Sequence, residues 1–472
     1  MKVLQVCSGP PFVGGGTRIY AGNLSVALVK HGTDIEYFYP GKQDLFFKPY
    51  IRSVVRKYGF KVWELRNNPI WSYNYRAPIM DVESKQVERV FIKLLKRVQP
   101  DICHFHDMLN LTSGIIKVTK EMGIKTVVTH NNYWFLCPNT YLFYNNRDVC
   151  PDPLSGQLCS ECGKEFKPIL RNIRERSLVE RVKSNLKDVL SEKIIIYLKE
   201  RHQPHNNGSY SHDNYSNRDL LNLVPNRLSQ FALRASKNIQ ILNEFVDVNL
   251  AVSLEVKNIL LKYGILNEKI LVNHIGVAIA DFVKRKQYNN GISDAISLTI
   301  GYMGPLIPQK GVLKVIEALA KLSNSNVRLL IWGAGDEEYV QNIYNYRDKV
   351  NFELRGSYKH SDLNDIFQEI DVGIVPPIWY DNGPQVFYEF QAAGIPTICS
   401  NIGGMKDFIR HGVNGFLYDY NSADQLAQTI AHLYKHKEII PRLATNVNPP
   451  KGIEEHAREM IKIYENILSK HA

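Results

Sequence analysis

No apolar run in the sequence approaches the roughly 18 to 20 residues needed to cross a bilayer, and the stretch from Met1 to Val6 is too short for a signal peptide. The expectation is a cytoplasmic chain. Glycine and proline are unexceptional at 30 and 22, and the absence of biased or repeated tracts excludes collagen-like and mucin-like classes. Charged residues make up only 22% against 44% hydrophobic, which excludes a wholly disordered chain. Cysteine is sparse, seven in 472 residues, and the lack of a secretion signal argues against a disulfide framework. A chain of this length builds two large domains or three smaller ones. The net charge of +11 favours anionic partners such as nucleotide phosphates, lipid headgroups or nucleic acid.

The sequence alternates short apolar runs with helical spacing. Val3 to Cys7 predicts a strand, Ser8 to Gly16 a glycine-rich loop, and Arg18 to Lys30 a helix ending before Gly32. The same rhythm predicts strands at Ile102–Phe105, Thr126–Thr129, Leu250–Ser253 and Ile270–Val272, with a helix over Leu111–Met122. A polar passage from Lys284 to Asp294 precedes a second series of strands near 297–303, 327–332, 351–354, 372–375 and 396–399. Strands separated by helices imply parallel sheets covered on both faces. The domain boundary is placed near residue 280, giving an N-terminal domain over 1–280 and a C-terminal domain over 281–452. An amphipathic helix at 453–472 is expected to cross back to the first domain.

The segment between Cys137 and residue 235 departs from this grammar. Lys164 to Arg201 reads as one or two basic amphipathic helices, followed by a polar, aperiodic stretch from Gln203 to Arg218. The basic helices are expected either to touch an anionic membrane surface or to pack on their own domain with a solvated charged face. Cys137, Cys150, Cys159 and Cys162 cluster at the start of the insertion. The Cys159-Ser160-Glu161-Cys162 spacing lets two thiolates grip one tetrahedral ion, so a structural zinc is one expectation, reduced thiols a second, and disulfides or a cluster cofactor a third.

The densest chemistry lies at Trp379-Tyr380-Asp381-Asn382-Gly383-Pro384-Gln385-Val386-Phe387-Tyr388-Glu389. A turn after a strand and before a helix puts free backbone N–H groups of Gly383, Gln385 and Val386 at a helix start, where a diphosphate is favoured. Asp381 and Glu389 bracket the turn and can hold sugar hydroxyls; alternatively, Asp381 caps the helix and Glu389 lies on a solvated face. Gly301-Tyr302-Met303-Gly304-Pro305-Leu306-Ile307-Pro308-Gln309-Lys310-Gly311 places an ammonium group just before another helix, suited to neutralising phosphate.

Taken in order, Gly304-Pro305-Leu306 with Lys310-Gly311, Gly333-Ala334-Gly335, Asp381 to Glu389, Ala392-Ala393-Gly394 and Ile402-Gly403-Gly404 closely resemble family 4 glycosyltransferases of the GT-B fold. Gly14-Gly15-Gly16, Asp101 to His106 and Thr129 to Pro138 resemble that family's acceptor domain. The resemblance implies two Rossmann-like domains facing across a cleft and a nucleoside-diphosphate sugar donor held mainly by the C-terminal one. It assigns Glu389 to the ribose, Asp381 to the transferred sugar, Lys310 to the diphosphate, Gly15 and Gly16 to close phosphate approach, and His130 to the donor sugar or acceptor. It further implies transfer to a saccharide or lipid-linked saccharide with retention at the anomeric carbon, without a catalytic metal, in surface-glycan synthesis at the inner face of the membrane. Three positions depart from the family pattern: Asp381 where glutamate is usual, Pro305 where an arginine is common, and Asn131 where an acid often follows the histidine. An epimerase or hydrolase on the same fold, or a nucleotide-sugar binder without activity, is the alternative. A nucleic-acid partner is not expected, because the basic residues form no recognised binding motif.

Overall fold

A computed structural model of the chain describes residues 1–44, 48–54, 58–70, 77–162, 224–288, 297–322 and 326–469. The sequence expectations for 164–201 and 203–218 lie outside the described residues.

The N-terminal part contributes strands β1 (Lys2–Val6), β2 (Asp34–Pro40), β3 (Tyr50–Val54), β4 (Lys61–Arg66), β5 (Ile102–Phe105), β6 (Lys125–His130), β7 (Phe143–Tyr144), β8 (Asp148–Val149), β9 (Val248–Ala251) and β10 (Ile270–Val272). Its helices are α1 (Gly16–Lys30), α2 (Lys85–Val98), α3 (Gly114–Glu121), α4 (Gln157–Cys162), α5 (Val224–Glu244) and α6 (Leu254–Lys262). Among the described residues, eight strands form one sheet in the order β10-β9-β6-β5-β1-β2-β4-β3, parallel throughout except for the β3–β4 edge pair. Val3, Leu4 and Val6 in β1 are fully buried, as a strand covered by helices on both faces requires.

The C-terminal part forms a second, wholly parallel sheet in the order β13-β12-β11-β14-β15-β16. Its strands are β11 (Leu298–Met303), β12 (Val327–Trp332), β13 (Phe352–Gly356), β14 (Val372–Val375), β15 (Thr397–Ser400) and β16 (Gly415–Tyr418). Its helices are α7 (Val312–Ala320), α8 (Glu337–Tyr344), α9 (Leu363–Glu369), α10 (Gln385–Ala393), α11 (Ala423–Lys435) and α12 (Ile440–Thr445). The order reverses between β11 and β14, the switch point where open α/β sheets place their ligands. Two α/β units with parallel sheets are thus the architecture of the chain.

The final helix, α13 (Ile453–Ser469), runs back to the first unit. His456 Nε2 lies 2.8 Å from Tyr20 Oη on α1, and Tyr464 Oη lies 2.6 Å from His104 Nδ1 on β5. The apolar stripe Ile453, Ala457, Met460, Tyr464 and Ile467 is buried beside them, as its helical spacing requires.

Several local boundaries differ from those the periodicity predicts. Ser253 leaves β9 because its hydroxyl accepts from Val256 N and caps α6, the usual competition of a short polar side chain with strand pairing. Leu111 and Thr112 precede α3 rather than opening it, since Leu111 N closes a turn on Met108 O. Strands β2, β3 and β4 and helix α2 have no counterpart in the periodicity reading, and neither does β16.

Candidate functional site

The C-terminal unit gathers its charged groups where β11 and β14 diverge. After β11, the chain turns through Pro308–Lys310 and ends that turn at Gly311, whose φ of 72° is left-handed. A Cβ at Gly311 would stand 1.9 Å from the carbonyl oxygen of Pro376, so only glycine lets the turn press against the end of β14. This close approach fixes Lys310 opposite Asp381, and Lys310 Nζ donates to Asp381 Oδ2 at 2.5 Å. The Lys310 ammonium also lies 5.6 Å from the ring centroid of Trp379.

Asp381 does not cap α10. The helix starts after Pro384 without any side-chain cap, while Asp381 Oδ1 accepts from Gly383 N at 3.4 Å. The α10 N-terminus at Gln385 and Val386 is therefore left for another acceptor. Gly403 lets the next loop pass close beneath, since a Cβ there would lie 2.3 Å from Asp381 O. Gly304, with φ 141°, donates its N–H to Trp332 O at 2.8 Å and lines the same strand ends.

Glu389 lies on α10 one turn further in and is 4% exposed, so it is not a solvated face residue. Burial pushes its carboxyl up to about 7, partly offset by Tyr358, whose hydroxyl donates to Glu389 Oε2 at 3.2 Å. His360 Nε2 stands 3.6 Å from the other carboxyl oxygen.

The N-terminal unit faces this site with a second helix start. Gly15 precedes α1 without a side-chain cap, and a Cβ built on it meets nothing within 4 Å. A Cβ on Gly16 would stand 3.3 Å from Gln385 Cγ, so the first residues of α1 and α10 meet. Two uncapped helix N-termini converge on one region, doubling the partial positive charge there. Arg18, on the first turn of α1, is tied back to the loop by its bond to Ser8 Oγ at 3.3 Å.

His130, at the end of β6, is 2% exposed, and its Nε2 pairs with Asn249 Oδ1 at 2.9 Å. Burial holds its imidazole down at about 4, which keeps the ring neutral. Its carbonyl accepts from Asn382 Nδ2 at 3.0 Å, a bond from the first unit to the loop that precedes α10. Asn131 Nδ2 donates to His106 O at 3.2 Å, and the Pro305 carbonyl accepts from Tyr302 Oη at 2.8 Å.

The structure thus brings together Gly15, Gly16, Lys310, Asp381, Gly383, Pro384, Gln385, Val386 and Glu389, with His130 joined to them through its main chain. It adds residues the sequence reading did not single out. Tyr141 stands edge-on to Trp379 with ring centroids 4.8 Å apart, closing one wall. Tyr358, Asn382 and Asn249 orient the site residues through the bonds given above. Trp379 and Asn382 sit inside the motif itself and were open to notice; Tyr141 and Asn249 reach the site only through tertiary packing. Cys137, Cys150, Cys159 and Cys162 line one small cavity beneath Tyr141's loop. Among the described residues, no three His, Cys, Asp or Glu side chains are grouped as they stand to hold a metal ion. No helix among them is long and apolar enough to cross a membrane.

Comparison with known proteins assigns both units. Residues 14–149 match the family model described as Glycosyltransferase Family 4, and residues 285–448 match Glycosyl transferases group 1. A GDP-mannose-dependent alpha-mannosyltransferase of Corynebacterium glutamicum is 35% identical over 122 residues, 25% of this chain and 27% of that protein. A UDP-Gal:alpha-D-GlcNAc-diphosphoundecaprenol alpha-1,3-galactosyltransferase of Escherichia coli is 28% identical over 142 residues, 29% of this chain and 36% of that protein. The matches span about half or less of these curated relatives, 48% at most among the first four. Among solved structures, HepE of Anabaena in complex with UDP superposes with TM-score 0.60 at 14% identity, covering 99% of this chain and 100% of that one. Sucrose-phosphate synthase of Thermosynechococcus elongatus gives the same TM-score at 15% identity over the full length of both. At these identities the structural likeness establishes the shared fold. With residues 14–149 and 285–448 matched by the two models and its two sheets arranged as in the GT-B structures, the chain belongs to glycosyltransferase family 4.

Proposed function

We propose that the protein transfers a sugar from a nucleoside-diphosphate sugar to a saccharide or lipid-linked saccharide, with retention of anomeric configuration, in surface-glycan synthesis. The observation that carries this reading is the Lys310–Asp381 ion pair set between two uncapped helix N-termini, with buried Glu389 one turn behind. The diphosphate would sit where α1 and α10 begin, taking N–H groups near Gly16, Gln385 and Val386 and drawing Lys310 from Asp381. Asp381 would then be free to accept from hydroxyls of the transferred sugar, and Glu389 would accept from the ribose diol.

Charge develops in the transition state on the departing diphosphate and on the anomeric carbon. The two helix starts, fixed by the fold, and Lys310, once drawn from Asp381, would stabilise the former, and the carboxylate of Asp381 would face the latter. His130, neutral and already engaged with Asn249, would position the donor sugar or acceptor rather than serve as a charged base. Deprotonation of the acceptor falls to the leaving diphosphate, and catalysis is mainly positioning and electrostatic stabilisation. Because the cationic groups are supplied by the chain, the reaction is expected to proceed in chelator.

A nucleotide-sugar donor is supported by the two named relatives, whose names specify UDP-Gal and GDP-mannose, and by the UDP held in the HepE structure. The diphosphoundecaprenol acceptor named for the Escherichia coli relative supports a lipid-linked one here. The test is to supply UDP-, GDP- and ADP-sugars in chelator, with and without glycolipid extract, and to follow free nucleoside diphosphate. Release that depends on the acceptor and yields an α-linked product from an α-linked donor supports the proposal. Release without acceptor marks a hydrolase, and an inverted product excludes retention.

A further inference from the structure

We propose that Cys137, Cys150, Cys159 and Cys162 together bind one zinc ion that fixes the loop forming the Tyr141 wall of the cleft. The remaining cysteines, Cys7, Cys103 and Cys399, are separately buried in the two sheets or beside them. The four in question come from three different local structures and still reach one cavity. Cys137 closes a tight turn, with its N–H on Tyr133 O at 2.8 Å. Cys150 follows β8, with its N–H on Leu142 O at 2.7 Å. Cys159 and Cys162 are three residues apart on α4 and share a face of that helix. Tyr144 Oη, donating to Glu161 Oε2 at 2.5 Å, fastens the β7–β8 hairpin to α4.

The chemistry of the cavity selects the ion. Its free room is about 10 Å³, enough for a single small ion and too little for an organic ligand. Apart from the thiols it is walled by such residues as Pro138, Phe143, Pro153 and Leu158, with no carboxylate or imidazole. A four-sulfur donor set in an apolar setting favours zinc over magnesium or calcium, and full use of all four ligands makes the site structural.

A second observation places an unsatisfied cationic group beside the cavity. Arg234 on α5 is completely buried; its Nε reaches Asp81 Oδ2 at 2.7 Å and its Nη2 reaches Trp134 O at 2.7 Å. Its Nη1 is buried and has no hydrogen-bond partner. The guanidinium lies within electrostatic reach of Cys137 and Cys159. A zinc ion with four thiolates carries a net double negative charge, and a buried cationic N–H beside it supplies the outer-shell partner such sites use. Binding releases four thiol protons to solvent, forms four Zn–S bonds of about 2.3 Å and draws the thiols inward from their present spacing.

The consequence reaches the cleft. Tyr141 lies between the first two ligands, and its ring meets Trp379, which lies beside Lys310. Zinc would hold this wall in place without touching substrate.

The experiment is elemental analysis of protein purified under reducing conditions without added metal, followed by titration of the native protein with a mercurial in the presence of a zinc-sensitive dye. The proposal requires about one zinc per chain, released as the four thiols are modified. It also requires Cys159→Ser and Cys162→Ser to lose the metal while Cys399→Ser keeps it. Zinc-free protein that takes up none when one equivalent is supplied, a mass lower by 2 or 4 Da showing disulfides, or an iron–sulfur absorption would overturn it. Because the wild-type titration needs no variant, a misfolded substitution cannot decide the outcome. Calorimetric nucleotide binding, measured separately, tells failure of the metal site from failure of the transferase reading.

Discussion

Glu389 is the residue on which pH acts most directly. Its carboxyl, pushed up to about 7 by burial, is half protonated near neutrality, and only the carboxylate accepts from both hydroxyls of a ribose. Nucleotide affinity is therefore predicted to rise between pH 6 and 8, and Glu389→Gln should bind more weakly with a flatter profile. Equal slopes for the two proteins would remove Glu389 from the ribose site. Gly15 offers a cleaner separation of binding from folding. Its φ of −66° suits any residue and its Cβ direction is open, so Gly15→Val should melt like the wild type. Its side chain would fill the approach to the α1 N-terminus, and turnover is predicted to fall about 10- to 100-fold. Unchanged turnover would place the diphosphate elsewhere.

At the scale of elements, the glycine-bearing turns decide whether the helix starts point at one another. Gly311→Ala forces a Cβ into the left-handed region and against Pro376 O, and should cost at least about 1–3 kcal/mol of stability. A melting curve superimposable on that of the wild type would contradict this reading of the turn. Most of these elements were legible in the sequence, because buried parallel strands are short apolar runs and helices follow glycine-containing loops. The motif from Asp381 to Glu389 could be read as a site for the same reason: it joins a strand end to a helix start. Sequence periodicity left β2 to β4 unread. β2 and β4 carry buried polar residues, Glu36, Glu64 and Arg66, that interrupt their apolar pattern, and half-exposed β3 is an antiparallel edge. Likewise, nothing local announces Tyr141 or Asn249, which reach the site across the fold.

At the scale of the whole molecule, a buried polar network in the first unit ties α13 back to it. His104 bonds Tyr464 and Thr129, His106 bonds Gln5 at 2.5 Å, and His456 bonds Tyr20. Burial holds His104 and His456 below the usual histidine range and His106 at about 3, with His130 near 4. The unfolded chain takes up protons near 6.5, whereas these folded rings do not, so stability is full above that pH and is lost progressively as pH falls toward 4. Glu389 contributes the opposite slope between 4.5 and 7, and buried Asp81, also raised, does so at lower pH, but these are two groups against four. The melting temperature should fall from pH 7.5 to pH 5, and less steeply in His106→Gln. A melting temperature that rises on acidification would contradict the assignment of neutral buried histidines.

The central claim is that the two helix starts, Lys310 and Glu389 form a nucleotide-sugar site. Calorimetric titration with UDP, GDP and ADP in chelator, comparing the wild type with Glu389→Ala, tests it most directly. The account predicts binding of one nucleotide in preference to the others. It also predicts a loss of about 1.5–3 kcal/mol, roughly 10- to 100-fold, on substitution. Binding that Glu389→Ala leaves unchanged, or no binding of any of the three, would contradict it.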